Sequence, residues 1–151
     1  MLRSVAVKSD LSILKVYSSE IVYNPSLVTK LLESVSEDGV TTYAISTSLS
    51  TLAIALPSGA TKSVCDKIRK LEMGQIEKVR VKDKVSLICT VGDDLINRTG
   101  AAAMIFNATM EVNANIEMIS EGASDVALNF VVPSEQANAV VMRIHERFIA
   151  K

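Results

Sequence analysis

The chain has no tryptophan, one histidine, two cysteines, three prolines and six glycines among its 151 residues, and each scarcity removes a class of protein. With so little Gly and Pro and with 48% hydrophobic residues, disordered and fibrous classes do not fit, because those compositions lack the apolar surface that offsets chain entropy. Cys65 and Cys89 have no metal-ligand spacing and are too few for a disulfide framework. They read as small buried hydrophobes in a reducing compartment. His145 has no nucleophile near it in sequence, so a nucleophile–base–orienting-group constellation is not in view. Neither sign of charge dominates: sixteen Lys and Arg oppose seventeen Asp and Glu, which gives no bulk electrostatic reason to expect nucleic acid. No apolar run approaches the roughly eighteen residues of a membrane span. Arg3, Lys8 and Asp10 break up the N-terminal apolar residues, so no signal peptide is visible. A soluble, cytoplasmic chain with neither membrane nor nucleic-acid partner is the expectation.

What is present is alternation interrupted by amphipathic runs. Val5 and Val7 mark a short strand over 3–8. After a turn, Leu11 and Ile13 fall on one face of a second strand, with Leu14 and Val16 on the other. Asn24-Pro25-Ser26 opens a helix in which Leu27, Val28, Leu31, Leu32 and Val35 recur at helical spacing, and Gly39 suits its left-handed end. A Thr- and Ile-rich hairpin over 40–56, a helix over 63–71 and a strand over 76–81 follow. Residues 11–82 therefore read βαββαβ, a ferredoxin-like unit.

Asp83-Lys84 reads as a tight turn into a second pass: strand 85–91, helix after Gly100, strand 116–120, the small-residue turn Gly122-Ala123-Ser124-Asp125, strand 126–132, and a helix from Ser134, its expected cap, to Phe148. That is βαββα, one strand short of the first unit, with the segment 3–8 the unassigned piece that completes it. The first unit then lies inserted in the second, which comprises 3–8 plus 85–148. A shift of 74 residues supports the echo, placing Ile45 on Ile119, Ser50 on Ser124 and Ala53 on Ala127. Met104, Met110 and Met118 read as core.

Sites of chemistry are few. Asp93-Asp94 has no further oxygen ligand spaced nearby and reads as solvated; Gly92 and Gly100 fit neither a phosphate loop nor a dinucleotide fingerprint. Backbone groups at turns remain. The helix entry at Gly100, with Asn113, Asn115, Glu117 and Glu121 around the following strand, offers donors and acceptors of the kind a small zwitterion needs. Gly100 is equally well explained as a tight helix entry.

The segments VGDDLINRTGAAAMIFNAT and NANIEMISEGASDVALNFVV resemble the second ACT domain of aspartate kinases (aspartokinases). The likeness is carried by Val91-Gly92, Gly100, Ile105-Phe106, the run Asn115 to Ser120, Gly122, Ser124-Asp125 and Val131-Val132. It is dense over about fifty residues and topological over the rest. The resemblance implies an α+β fold of two intertwined ferredoxin-like ACT domains, the first (11–82) inserted in the second, with their sheets side by side. It further implies a chain without catalytic residues, metal or cofactor of its own. ATP and Mg would belong to a kinase domain that phosphorylates aspartate and is absent here. Expected partners are that catalytic domain or subunit, a second copy in a homodimer, and lysine or threonine as amino-acid effector. The family pattern places the effector against Asn115 and Ile116 in the second unit, with Gly100 at the helix entry. In the first unit it points to Ser26, Val28, Thr47 and Ser48. There this sequence departs from the pattern: Tyr23 and Tyr43 stand where the family has Asp, Ser26 where it has Gly, Thr47 where it has Gln, and Leu49 where it has Glu. An effector ammonium would lack its obvious carboxylate, and the alternative is a structural or oligomerisation module.

Overall fold

A computed structural model describes residues 2–95 and 97–149. The chain divides into two compact units, Leu11–Asp83 and the flanking segments up to Asp10 and from Lys84 onward. Among the described residues six strands and four α-helices follow in order: β1 (Leu2–Tyr17), α1 (Pro25–Ser36), β2 (Ala44–Thr47), β3 (Thr51–Pro57), α2 (Thr61–Lys70), β4 (Lys78–Gly92), α3 (Ala101–Glu111), β5 (Met118–Ser120), β6 (Ala127–Pro133) and α4 (Ser134–Phe148). The hydrogen-bonded order is β2-β3-β1-β4-β6-β5. The inner unit uses β2-β3-β1-β4 and the outer unit β1-β4-β6-β5, so β1 and β4 each lend one half to each unit.

That order replaces the expected pair of side-by-side sheets, and the reason is local. The turns read at Ser9-Asp10 and Asp83-Lys84 do not reverse the chain. Each is absorbed by one left-handed residue, Asp10 at φ 59° and Lys84 at φ 56°, and the strand runs on. A single residue at positive φ can turn the local backbone without ending the ladder. The segments 3–8 and 11–18 are thus one strand, as are 76–81 and 85–91.

Each unit builds its own helix-side core. In the inner unit Leu14 and Val16 of β1 and Leu52, Ile54 and Leu56 of β3 meet Leu27, Leu31 and Val35 of α1 and Val64, Cys65 and Ile68 of α2. In the outer unit Ile88, Leu128, Phe130 and Val132 meet Ala101, Ile105 and Ala108 of α3 and Ala137, Val140 and Ile144 of α4. These are the i, i+3/i+4 and i, i+2 faces that the alternating pattern supplies. Leu11 and Ile13, on the second face of β1, are also fully buried.

The two units repeat in detail. The backbone bond from Ser18 N–H to the Ser50 carbonyl (2.9 Å) recurs as Gly92 to Val126 (2.9 Å), and Tyr43 to Ala55 (2.8 Å) recurs as Glu117 to Val131 (2.8 Å). The Ser12 and Ser58 hydroxyls, 3.2 Å apart, correspond to Ser86 and Ser134, 2.9 Å apart. The spacing is 74 residues as far as Ala44 and Met118 but 76 for their partners Ala55 and Val131, because the β5–β6 turn is two residues longer. The alignment of Ala53 with Ala127 is therefore corrected: Ala53 corresponds to Asn129. Ser134 is the first residue of α4 rather than a side-chain cap, its hydroxyl being taken by Ser86. Met118 is buried, but Met104 and Met110 are exposed. Helix α3 is apolar nearly all round, so periodicity could not say which face Ile105 and Ala108 would claim.

An ion pair is repeated as well. Lys67 of α2 reaches Asp38 (2.5 Å) and Glu37 (3.4 Å) beyond the end of α1; Arg143 of α4 meets Glu111 at the end of α3 at 2.6 Å, joined by Arg147. The hydrogen bond from Arg143, with the charges of Arg143 and Arg147, holds the Glu111 carboxyl below the usual carboxylate range against a smaller opposing effect of desolvation. A carboxylate whose folded pKa is depressed adds stability above its unfolded pKa and loses it as pH falls through the folded value. Glu111→Gln is therefore expected to flatten the decline of melting temperature with acidification below the ordinary carboxylate range, measured against the parent chain across that range.

Candidate functional site: the turn end of the inner unit

The sequence-expected residues fall at different places. In the inner unit, β1 and β3 pair antiparallel with Tyr17 opposite Thr51, so the end of β1, the start of α1 and the β2–β3 turn share one end. The Ser18–Ser50 backbone bond ties them together. Ser26 is the second residue of α1 and exposed; Val28, one turn in, is half-buried against the core. Thr47 ends β2 opposite Leu52 and is exposed. Ser48 donates its N–H to the Thr51 carbonyl at 2.9 Å, while its hydroxyl accepts from Ser50 N–H at 3.4 Å. The fold thus brings all four to one end of the unit.

Asn24 builds this end. Its side-chain oxygen accepts the Leu27 N–H at 3.2 Å, and Pro25 at the first helical position has no N–H to leave unpaired. Its amide nitrogen donates to Glu20 at 3.4 Å, engaging the carboxylate of the β1–α1 loop. Asn24→Ala is expected to cost about 1 kcal/mol through loss of the cap, read as a shift in the urea midpoint. Around the hydroxyls stand large exposed side chains: Tyr23 is 83% exposed and Leu49 76%. Hydroxyls here, that of Tyr23 included, can hydrogen-bond a carboxylate or an ammonium and turn N–H groups a carboxylate, while Leu49 adds only contact area.

In the outer unit the expected residues separate. Gly100 caps α3 from the left-handed region (φ 82°) and has open space where a Cβ would lie. Asn115 and Ile116 follow the other end of α3, whose 11 residues span about 16 Å. Within this unit, therefore, Gly100 is not brought beside them. Asn115 N–H donates to Gln136 Oε1 at 2.8 Å and its side-chain amide to Glu117 at 2.9 Å, so the groups expected to face an effector hold α4 and β5. Ile116 packs partly against the core. Gln136 lies twenty-one residues from Asn115, too far for any local sequence pattern to reveal the contact.

The remaining chemistry-bearing residues hold ordinary structural positions. Asp93 accepts from Arg3 Nε at 2.7 Å and Asp94 from Asn97 at 2.6 Å. Among the described residues no group of three or more His, Cys, Asp or Glu is arranged to hold a metal, and no helix is long and apolar enough to cross a membrane. Burial pushes the thiols of Cys65 and Cys89 up, away from the thiolate form that nucleophilic chemistry uses. His145 lies exposed on α4.

Comparison with known proteins gives these features a family context. The family model described as the ACT domain matches residues 88–148. An aspartate kinase of Fusarium oxysporum f. sp. lycopersici is 26% identical over 148 residues, 98% of this chain and 27% of its own. Lysine-sensitive aspartokinase 3 of Escherichia coli (strain K12) is 24% identical over 149 residues, 96% of this chain and 33% of its own. The chain thus spans about a third or less of these curated relatives. Among solved structures, the ligand-free regulatory subunit of aspartate kinase from Thermus thermophilus superposes with a TM-score of 0.85 at 21% identity, covering 99% of each chain. Residues 88–148 thus match the ACT-domain model, and the chain as a whole has the fold seen in solved regulatory subunits of aspartate kinase.

Proposed function

We propose that this chain is the allosteric module of an aspartate kinase, sensing an end-product amino acid, lysine or threonine, and thereby controlling ATP-dependent phosphorylation of L-aspartate by a kinase domain outside it. The observation that carries this reading is the full-length correspondence with a separate regulatory subunit, 99% of both chains. The relatives named for aspartate kinase activity extend the support in sequence over 96–98% of this chain. Assembly as a homodimer and contact with a catalytic partner belong to the same reading, as does a cytoplasmic location. The effector groups are Ser26, Val28, Thr47 and Ser48 at the turn end of the inner unit, and Gly100, Asn115 and Ile116 in the outer unit. The test is isothermal titration with lysine and with threonine, alongside thermal unfolding. A ligand at a hundred times its Kd stabilises the folded state by about 2.7 kcal/mol. Absence of both heat and a melting shift at millimolar ligand would refute sensing by this chain alone.

A second reading is a structural or oligomerisation module. It is favoured by the exposure of Tyr23 and Leu49, uncharged groups where the family pattern has carboxylates, and by the engagement of the Asn115 N–H with Gln136. A chain that stays monomeric by light scattering, with and without amino acids, would dispose of it.

A further inference from the structure

A cavity of about 280 Å³ lies at the C-terminal end of α2, lined entirely by residues of the inner unit. It shares no residue with the turn site. Its origin is the path the chain takes out of α2. The Leu71 and Glu72 N–H groups bond back to Ile68 and Arg69 at 3.2 Å each. Glu72 then sits at φ 47°, a left-handed conformation that is rare for a non-glycine residue outside Asn, Asp and His. Ile76 bonds back to Met73 at 3.0 Å, and Glu77 joins Tyr17 at 2.8 Å as β4 begins. The loop returns to the sheet with Met73, Ile76 and Val79 packed partly against the inner core, leaving a cleft beside the helix end.

The lining has two characters. Ile68, Met73, Ile76 and Val79 supply hydrocarbon; Arg69, Glu72 and Lys78 supply charges of both signs. The Lys78 ammonium lies 4.4 Å over the Tyr17 ring, a contact worth about 0.5–1 kcal/mol at an exposed site. Arg69 meets Asp66 only at 3.9 Å, beyond hydrogen-bond length, so its planar donor set is not saturated by that pair. The end of α2 adds carbonyl oxygens and the negative end of the helix dipole. Two cations, one carboxylate and helix carbonyls beside an apolar wall match a zwitterion with a hydrocarbon side chain. The volume is just under the usual range of small-molecule sites, about 300–1,000 Å³, which favours a ligand of amino-acid size.

We propose that this cavity binds an amino acid with a branched aliphatic side chain. Its carboxylate lies on Arg69 and Lys78, its ammonium on Glu72 and the end of α2, and its side chain on Ile68, Met73, Ile76 and Val79. This site is separate from the effector site proposed above and does not depend on it.

The experiment is a titration of the methyl-labelled chain with leucine, followed by NMR. The methyls of Ile68, Met73, Ile76 and Val79 are expected to shift together and saturate. The deaminated acid isocaproate and the decarboxylated amine isoamylamine should each bind about tenfold or more weakly, as loss of a charged hydrogen-bonding group implies. Arg69→Gln, on an exposed side chain, should weaken leucine about tenfold while leaving the unliganded methyl spectrum in place. No shift at these four methyls, equal binding of the amine, or undiminished affinity in Arg69→Gln would each overturn the assignment. Shifts at Val28 alone would also overturn it while leaving the turn-site reading intact.

Discussion

Phe130→Ala is expected to destabilise the chain by about 3–5 kcal/mol, the largest effect of any single substitution considered. Phe130 is fully buried on β6 within the cluster formed by Ile88, Ile105, Ala108, Val140 and Ile144. Its ring meets Phe106 edge-on, with centroids 5.5 Å apart and planes at 82°. Truncation removes the transfer free energy of the ring and leaves a cavity bounded by two helices and two strands. It also ends an aromatic contact worth about 0.5–1.5 kcal/mol beyond its buried area. Set against a typical domain stability of about 5–15 kcal/mol, the loss should bring the urea midpoint down steeply. Phe130→Leu keeps most of the volume and is expected to lose markedly less. Equal midpoints for the two variants would mean that the outer core relaxes around the missing ring.

Gly100→Val is expected to cost about 2–3 kcal/mol and Gly100→Ala about 1–2 kcal/mol. The cause is torsional. Nothing lies within 4 Å of a Cβ built at Gly100, but its φ is 82°, where a side chain collides with its own backbone and β-branching makes matters worse. Its carbonyl accepts the Met104 N–H at 3.0 Å, the first turn of α3, so a shift of φ would misdirect that bond. The matching residue in the inner unit, Ser26, is already inside a helix capped by Asn24, and Ser26→Gly should cost less than 1 kcal/mol. Thermal melts of the three variants measure the difference. Equal losses at Gly100 and Ser26 would show that the two helix entries are interchangeable despite their different backbones.

The Asn24-Pro25 helix start, the buried alternation of Leu14 and Val16 and the glycine at Gly39 are local signals, and each element they mark is present. The faces of α3 were not legible, because Ala, Met, Ile and Phe surround that helix and only the neighbours on β4, β6 and α4 select Ile105 and Ala108. Ser9-Asp10 and Asp83-Lys84 have the composition of turns, a polar pair between two apolar runs. In the fold each strand instead continues through its one left-handed residue. The functional residues were legible as positions but not as neighbours: Thr47 and Ser48 meet the start of α1 through antiparallel register, whereas Gly100 and Asn115 are parted by a full helix.

The sequence by itself determined two repeated βαββ passes, their core-facing residues and a family likeness dense in the second pass, because period and turn chemistry act over a few residues. The tertiary structure decided the uninterrupted β1 and β4, the two-residue offset between the hairpins, the engagement of Asn115 by Gln136 and the cavity at the end of α2. Each of these depends on partners distant in the chain, whose meeting is set by strand register and helix packing rather than by any local pattern.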